Sequence, residues 1–177
     1  MGQYWKVVNL DKKEYINPHK LGCGLKLWEQ LANHPGTGAA LVILCAAMPT
    51  ARGGGDFDLD ENWHGPERKF PEHNMGPGPM PEDYRAVAKR TIGRWAGDRI
   101  ALLGDYAEED DLKGPQSFTP PEIYRRCTEP KYLDDEKDLK LEDLYADVSD
   151  DVARVIEHEL GGRYTGTGWR TFEKGAV

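Results

Sequence analysis

The acidic stretch at residues 51–67, "ARGGGDFDLDENWHGPE", holds side chains whose types and spacing suit metal chemistry. Asp56, Asp58 and Asp60 stand at alternate positions, and Glu67 is the twelfth residue counted from Asp56. Carboxylates at the first, third, fifth and twelfth positions are ligands of an EF-hand calcium loop. The sixth position, where that loop requires glycine, holds a glutamate, which argues against an EF-hand. Two interpretations stay open: a looser site for a divalent cation on the three aspartates, and a solvated acidic loop.

The glycines of "RGGGD" allow a second interpretation, an anion site. Successive backbone N–H groups around Gly54 can face a phosphate, and Arg52 can add a positive charge. Neither phosphate-binding motif, G-x-x-x-x-G-K-[ST] or G-x-G-x-x-G, is present. Asp56 and Asp58 would repel a phosphate unless a cation bridged them. An anion cradle formed by these N–H groups together with a bound metal ion is therefore more coherent than an anion cradle alone. The alternative is a flexible segment without a ligand.

Acid–base groups and an aromatic residue complete the candidate site. Trp63, His64 and His73 follow the aspartates on the same segment, and Asp105 ends an apolar stretch that we expect to be a strand. An acid or a base for hydrolysis would come from Asp56, His64 and Asp105. Ligand contacts would come from Arg52, Gly54, Trp63 and His73. Asp105 can equally be a plain turn residue at a strand end, and no serine or cysteine stands in a known nucleophile motif.

Length and charge restrict the function classes. The chain has 177 residues, which fits one globular domain spanning residues 1–177. Its net charge of −8 and the lack of Lys and Arg clusters argue against nucleic acids and anionic membranes as partners. Three scattered cysteines do not form a disulfide framework, and we expect Cys45, in an apolar run, to be a small core residue. These features favour a reduced, cytoplasmic protein.

The elements that would position these residues are those of an α+β fold with a small antiparallel sheet and three to five helices. We expect strand hairpins near residues 3–16 and 91–105, and helices near 21–32, 38–48, 81–90 and 119–127. A last helix should be capped by Ser149. We expect residues 49–81 to form a long Gly- and Pro-rich loop, of which residues 51–81 act as a lid.

Two of the predicted helices face each other in this scheme. The helix near 38–48 should be buried on all sides, because it is apolar throughout. Trp28 and Leu31 should be buried with Leu41 and Leu44. Replacing Trp28 by alanine should then cost roughly 3–5 kcal/mol.

The amino-acid sequence of the first 110 or so residues resembles that of a family of uncharacterised microbial and fungal hypothetical proteins. The stretches that carry the resemblance are "GQYWKVVNLDKKEY", "HKLGCGLKL", "RGGGD" and "GRWAGDRIALLGDY". The resemblance implies no activity and no catalytic residue.

The sequence leaves two functional hypotheses. In the first, the protein binds or converts a small polar or phosphorylated molecule in a cleft closed by loop 51–81, with hydrolysis assisted by a divalent cation as the reaction class. In the second, it is a non-catalytic protein–protein interaction module with an acidic surface, which the charge and five tryptophans also allow. Whether the protein is an enzyme stays open. An exposed apolar patch would favour the second hypothesis.

Overall fold

A computed structural model describes residues 2–32, 36–47, 82–135 and 139–161. The chain divides into two compact units, Met1–Asn33 with Asp98–Asp150, and His34–Gly97 with Asp151–Val177. We call them the sheet unit and the helical unit after their described elements. The expectation of one domain over residues 1–177 stays a prediction.

The sheet unit is built on a four-stranded mixed sheet of order β3-β1-β2-β4. The strands are β1 (Trp5–Asn9), β2 (Glu14–Ile16), β3 (Ile100–Gly104) and β4 (Ala146–Asp147). β1 pairs antiparallel with both β2 and β3, while β2 pairs parallel with the short β4. The predicted hairpin near residues 3–16 is confirmed, with Val8 opposite Tyr15.

Both faces of this sheet are covered. Val7 and Val8 are neighbours on β1 that point to opposite faces, and neither is exposed to solvent. On the face of Val8, helix α4 (Pro120–Arg126) contributes Ile123 to a core cluster. The other buried members of this cluster are Tyr15, Leu103, Cys127 and Tyr145. Short 3-10 helices at Pro18–Leu21, Pro130–Asp135 and Leu141–Asp143 complete the unit, together with helix α1 (Leu27–Ala32).

Among its described elements, the helical unit has α2 (Gly36–Cys45), α3 (Glu82–Thr91) and most of α5 (Ser149–Gly161), whose first two residues belong to the sheet unit. Trp95, which is fully buried, lies in the turns that follow α3. Its backbone N–H donates to the carbonyl of Leu44 at 2.7 Å, and the N–H of Gly93 donates to that of Ile43 at 2.8 Å. These bonds satisfy carbonyls that the end of α2 leaves without helical partners.

The α+β class is confirmed, with five α-helices among the described residues, but the second predicted hairpin is wrong. Only Ile100–Gly104 is a strand in the region near 91–105, and it pairs with β1. Residues 92–97 form turns, because the backbone N–H groups of Gly93 and Trp95 bond to the end of α2. The sheet is also mixed rather than wholly antiparallel, since β4 joins β2 in parallel.

The helix expected near residues 21–32 is shorter than predicted. A 3-10 helix ends at Leu21, and Gly22 adopts the left-handed conformation, with φ of 72°, which stops it. The chain resumes a helix only at Leu27. The expected burial of Trp28 and Leu31 is wrong, because their side chains are 80% and 68% exposed.

Helix α2 is confirmed, but it is not buried on all sides. Ala40, Ile43 and Leu44 are buried, whereas Val42 is 66% exposed. Cys45 is exposed too, so the expectation that it is a core residue is wrong. The predicted helix after Thr119 is confirmed as α4, where Thr119 and Glu122 form a capping box. The final helix is confirmed as α5, but the hydroxyl of Ser149 accepts the N–H of Asn17 at 2.7 Å.

Candidate functional site

Most of the residues predicted to do chemistry lie outside the described part of the chain. The residues concerned are Arg52, Gly54, Asp56, Asp58, Asp60, Trp63, His64 and His73. The same holds for the lid predicted from loop 51–81. The cation site, the anion cradle and the lid therefore stay predictions. Asp105 is the one member of the predicted site whose surroundings are described.

Asp105 extends the pairing of two strands beyond the end of β3. Its backbone N–H donates to the carbonyl of Tyr4 at 2.9 Å, and its Oδ1 accepts the N–H of Tyr4 at 2.9 Å. The residue is exposed at the surface. Both bonds hold the chain turn after β3 against the residue that precedes β1, which agrees with the interpretation of Asp105 as a strand-end residue.

A partly buried lysine on the inner strand β1 is a feature that the sequence reasoning missed. Lys6 Nζ donates to the carbonyl of Cys127 and lies 4.3 Å from the ring centroid of Tyr124. It also lies 5.7 Å from the ring centroid of Tyr15. Lys6 shares a sheet face with Val8, so a charged residue on the core side of β1 was the signal that could have found it.

The electrostatics of this cluster do not suit nucleophilic catalysis. Burial raises the pKa of the Cys127 thiol to about 12, although the nearby Lys6 ammonium lowers it in part. Burial raises the pKa of Tyr124 to about 12 as well, helped by the negative charge of Asp105. A reactive thiol needs a pKa depressed toward neutrality, so Cys127 is protonated and unreactive at pH 7. The cluster ties the end of α4 to the sheet: the Lys6 ammonium binds the carbonyl of the residue that terminates the helix.

A second set of charges holds β4 and the start of α5. Lys20 Nζ lies 3.0 Å from Oδ2 of Asp147 and 2.9 Å from Oδ2 of Asp150. Oδ1 of Asp147 accepts the N–H of Ser149 at 2.9 Å. Burial lowers the pKa of Lys20, but its hydrogen bonds to Asp150 and Asp147 outweigh that effect and raise the pKa above its ordinary value. The lysine is therefore a fixed cation that links the 3-10 helix at Pro18–Leu21 to α5.

A further acidic residue, just before β3, also has a structural role. Asp98 Oδ2 accepts a hydrogen bond from the Asn9 side chain at 2.7 Å and pairs with Lys12. These bonds to Lys12 and Asn9 lower the pKa of Asp98. Asp98 thus fixes the β1–β2 turn. In the described part of the chain, no group of three or more His, Cys, Asp or Glu side chains could hold a metal ion.

The described surface of the sheet unit exposes two large apolar side chains on α1, and contact of apolar surface with water is unfavourable. The α1 apolar face, which we define as Trp28 and Leu31, is exposed to solvent. The opposite side of α1 carries Gln30, which is buried and donates from Nε2 to the carbonyl of Trp5 at 3.0 Å. Glu29 accepts the N–H of Lys26 at 3.1 Å and so fixes the first turn of the helix. The two exposed apolar side chains are therefore held in place by polar contacts made behind them.

No family model, curated protein or solved structure matches this chain. The resemblance of the first 110 or so residues to a hypothetical-protein family stays a prediction. No helix in the described ranges is long and apolar enough to span a membrane. Fold and surface are therefore the available guides to function.

Proposed function

We propose that this protein is a non-catalytic protein–protein interaction module that binds its partner through the α1 apolar face. The observation that carries the proposal is the 80% exposure of Trp28 beside an exposed Leu31 one helical turn later. A fully buried tryptophan removes about 150–250 Å² from water, at roughly 25 cal/mol per Å². Covering this face would thus contribute several kcal/mol before the cost of association is subtracted.

The type and setting of these residues support the proposal. Tryptophan is enriched among the residues that dominate binding energy in protein interfaces, and leucine supplies apolar area around it. The face is held by Gln30 and Glu29, which anchor α1 through hydrogen bonds to Trp5 and Lys26. A surface that is already ordered loses little conformational freedom on binding.

The described polar residues give less support to the first hypothesis, an enzyme or a small-molecule binder. Asp105 bonds to the backbone of Tyr4, and Cys127 has a raised pKa. Asp98 is held by Asn9 and Lys12. The roles of these groups in the fold account for their positions. Binding of a small polar or phosphorylated molecule by loop 51–81 stays a prediction.

A peptide-binding experiment tests the interaction module. The probe is a fluorescein-labelled helical peptide of leucine and glutamine, with the leucines on one face and no net charge. We expect wild-type protein to bind it, and the double variant Trp28→Ser with Leu31→Ser to bind it at least about tenfold more weakly, since the variant loses apolar contact area. Fluorescence anisotropy measures both affinities.

The matched control is Val42→Ser, which removes an exposed apolar side chain from α2 in the helical unit. This variant should bind like the wild type. Equal binding by the wild type and the double variant would contradict the proposed function, as would a wild type that binds no apolar helix at all.

A further inference from the structure

We infer that the partner of the α1 apolar face is a protein segment that combines apolar side chains with Lys and Arg residues. This inference rests on the proposed function and adds the chemistry of the partner. It concerns the end of the sheet unit where β1 begins. There α1 is bonded to one edge of β1 and the segment after β3 to the other. We call the region made of the α1 apolar face, Tyr4 and residues 105–111 the β1-start surface.

Backbone contacts bring α1 to this end of the sheet. The N–H of Trp5 donates to the carbonyl of Leu25 at 2.8 Å, and Gln30 Nε2 reaches the carbonyl of Trp5. The helix that carries Trp28 and Leu31 is thus fixed directly to the first residue of β1.

A second set of contacts brings the segment after β3 to the same end. Trp5 is the register partner of Gly104, and Asp105 is bonded twice to Tyr4. The turn continues with a bond from the N–H of Ala107 to the carbonyl of Gly104 at 3.1 Å. The β1-start surface therefore joins α1 to residues 105–111 through the two residues Tyr4 and Trp5.

The composition of the β1-start surface is that of a binding surface with an acidic border. Tyr4 and Tyr106 are 45% and 58% exposed, and they add two aromatic rings to the α1 apolar face. Asp105 and all four residues of the acidic run 108–111 are exposed. The run is shaped locally, since Asp111 Oδ2 accepts the N–H of Glu108 at 2.8 Å. Apolar and aromatic centres bordered by charge are typical of transient protein interfaces.

The charge of the whole sheet unit selects a cationic partner. Residues 1–33 and 98–150 contain 12 Lys and Arg against 19 Asp and Glu, a net charge of −7 out of the −8 of the chain. Residues 34–97 and 151–177 contain 11 against 12, a net charge of −1. The negative electrostatic field of the sheet unit speeds association with a positively charged partner and repels a negatively charged one. A second copy of this chain would bring the same negative unit, so self-association is disfavoured.

The test uses three labelled helical peptides that share one leucine face and differ on the polar face: glutamine, lysine or glutamate. At about 50 mM salt we expect the lysine peptide to bind at least about tenfold more tightly than the glutamine peptide, and the glutamate peptide to bind most weakly. At about 500 mM salt the preference for lysine should fall below about threefold, because exposed charges are then screened.

A charge variant locates the preference on the β1-start surface. The quadruple substitution Glu108→Gln, Glu109→Gln, Asp110→Asn and Asp111→Asn should reduce the preference for lysine and leave the affinity for the glutamine peptide unchanged. A control that removes four acidic charges elsewhere in the sheet unit, at residues 129, 142, 143 and 150, should change the preference less.

The outcomes separate the two proposals. Equal affinity for the lysine and glutamine peptides, or a preference that the quadruple variant retains, overturns the cationic partner and leaves the interaction module standing. Binding of none of the three peptides overturns both. A wild type that sediments at twice its mass of 19.9 kDa, with a monomeric Trp28→Ser/Leu31→Ser variant, overturns the cationic partner in favour of a second copy of this chain.

Discussion

At the scale of single residues, chemical type was a poor guide to role in the described structure. Asp98, Asp105 and Asp147 are all carboxylates, and each is bonded to a backbone N–H or a side chain that holds a turn or a helix start. Backbone groups that lack a partner in a sheet or helix must find another one, and short carboxylate side chains supply it at low cost. A carboxylate near a turn therefore has a structural use before it has a catalytic one.

The first prediction concerns Gly93 in the turns after α3. Its φ of 74° lies in the left-handed region, and a Cβ there would stand 2.5 Å from the carbonyl oxygen of Ala46. Gly93→Ala should lower the free energy of unfolding by about 2–4 kcal/mol, since left-handed strain and a steric clash combine. Gly97 is the matched control: its φ is 85°, but a Cβ there meets no atom within 4 Å. Urea denaturation measures both, and equal losses would contradict the clash with Ala46.

The second prediction concerns the three thiols. Cys45 is exposed, whereas Cys23 and Cys127 are buried. The pKa of Cys127 is raised by burial, which leaves that thiol protonated. A disulfide reagent at pH 8 should therefore label one thiol in the native protein within minutes and the other two only after unfolding. Cys45→Ser should eliminate the fast reaction, and a fast reaction that persists in this variant would show that a thiol we place in the core is accessible.

At the scale of elements, the third prediction compares two tryptophans. Trp28 is 80% exposed on α1, and Trp95 is fully buried in the helical unit. Trp28→Ala should change the free energy of unfolding by less than about 0.5 kcal/mol, as is usual for surface positions. Trp95→Ala should cost about 3–5 kcal/mol, because it leaves a cavity. Chemical denaturation decides the comparison, and a loss above 2 kcal/mol at Trp28 would place α1 in a core after all.

Elements with local signals could be predicted from the sequence. The β1–β2 hairpin follows from an aromatic and β-branched strand with a polar turn, and the Asn9 side chain accepts the N–H groups of Asp11 and Lys12 there. Helix α4 follows from Thr119, two prolines and Glu122, a complete capping box. In both cases the residues that specify the element lie within it.

Elements that depend on distant partners could not be predicted. The sequence around Trp95 predicts a strand. Its backbone instead donates hydrogen bonds to the end of α2, about fifty residues earlier in the chain. Leu21 and Trp28 have helical spacing, but the left-handed Gly22 separates them into two short helices. The cluster around Lys6 was harder still to predict, because Lys6 contacts Tyr124 and Cys127 only through the packing of α4 on the sheet.

At the scale of the whole molecule, the fourth prediction tests the cation hypothesis for residues 51–67. If Asp56, Asp58 and Asp60 bind a divalent cation, then millimolar Ca²⁺, Mg²⁺ or Mn²⁺ should raise the melting temperature, because a ligand bound only by the native state stabilises it. A concentration one hundred times the Kd would contribute about 2.7 kcal/mol. Asp56→Asn with Asp58→Asn should abolish the shift. No shift with any of the three ions would leave a solvated acidic loop.

Alkaline pH should destabilise the molecule through groups buried in the sheet unit. Burial raises the pKa of Cys127, Tyr15, Tyr124 and Tyr145, so each of them favours its neutral form in the folded state. A group with a raised folded pKa contributes stability that is complete below its unfolded pKa and is lost as the pH rises toward the folded value. The ordinary values are 9.0 for the thiol and 10.0 for the phenols, so the loss should begin near pH 9.

The fifth prediction isolates the thiol from this set. Between about pH 9 and 11 the folded protein keeps one proton on Cys127 that the unfolded chain has released, so the free energy of unfolding should fall by about 1.4 kcal/mol per pH unit from this group alone. Cys127→Ala lowers stability at every pH through lost packing, but it should make the alkaline slope shallower by that amount. Urea denaturation at half-unit intervals of pH gives both slopes. Parallel curves for the two proteins would mean that Cys127 titrates alike in the folded and unfolded states, and that its burial beside Lys6 does not control the proton.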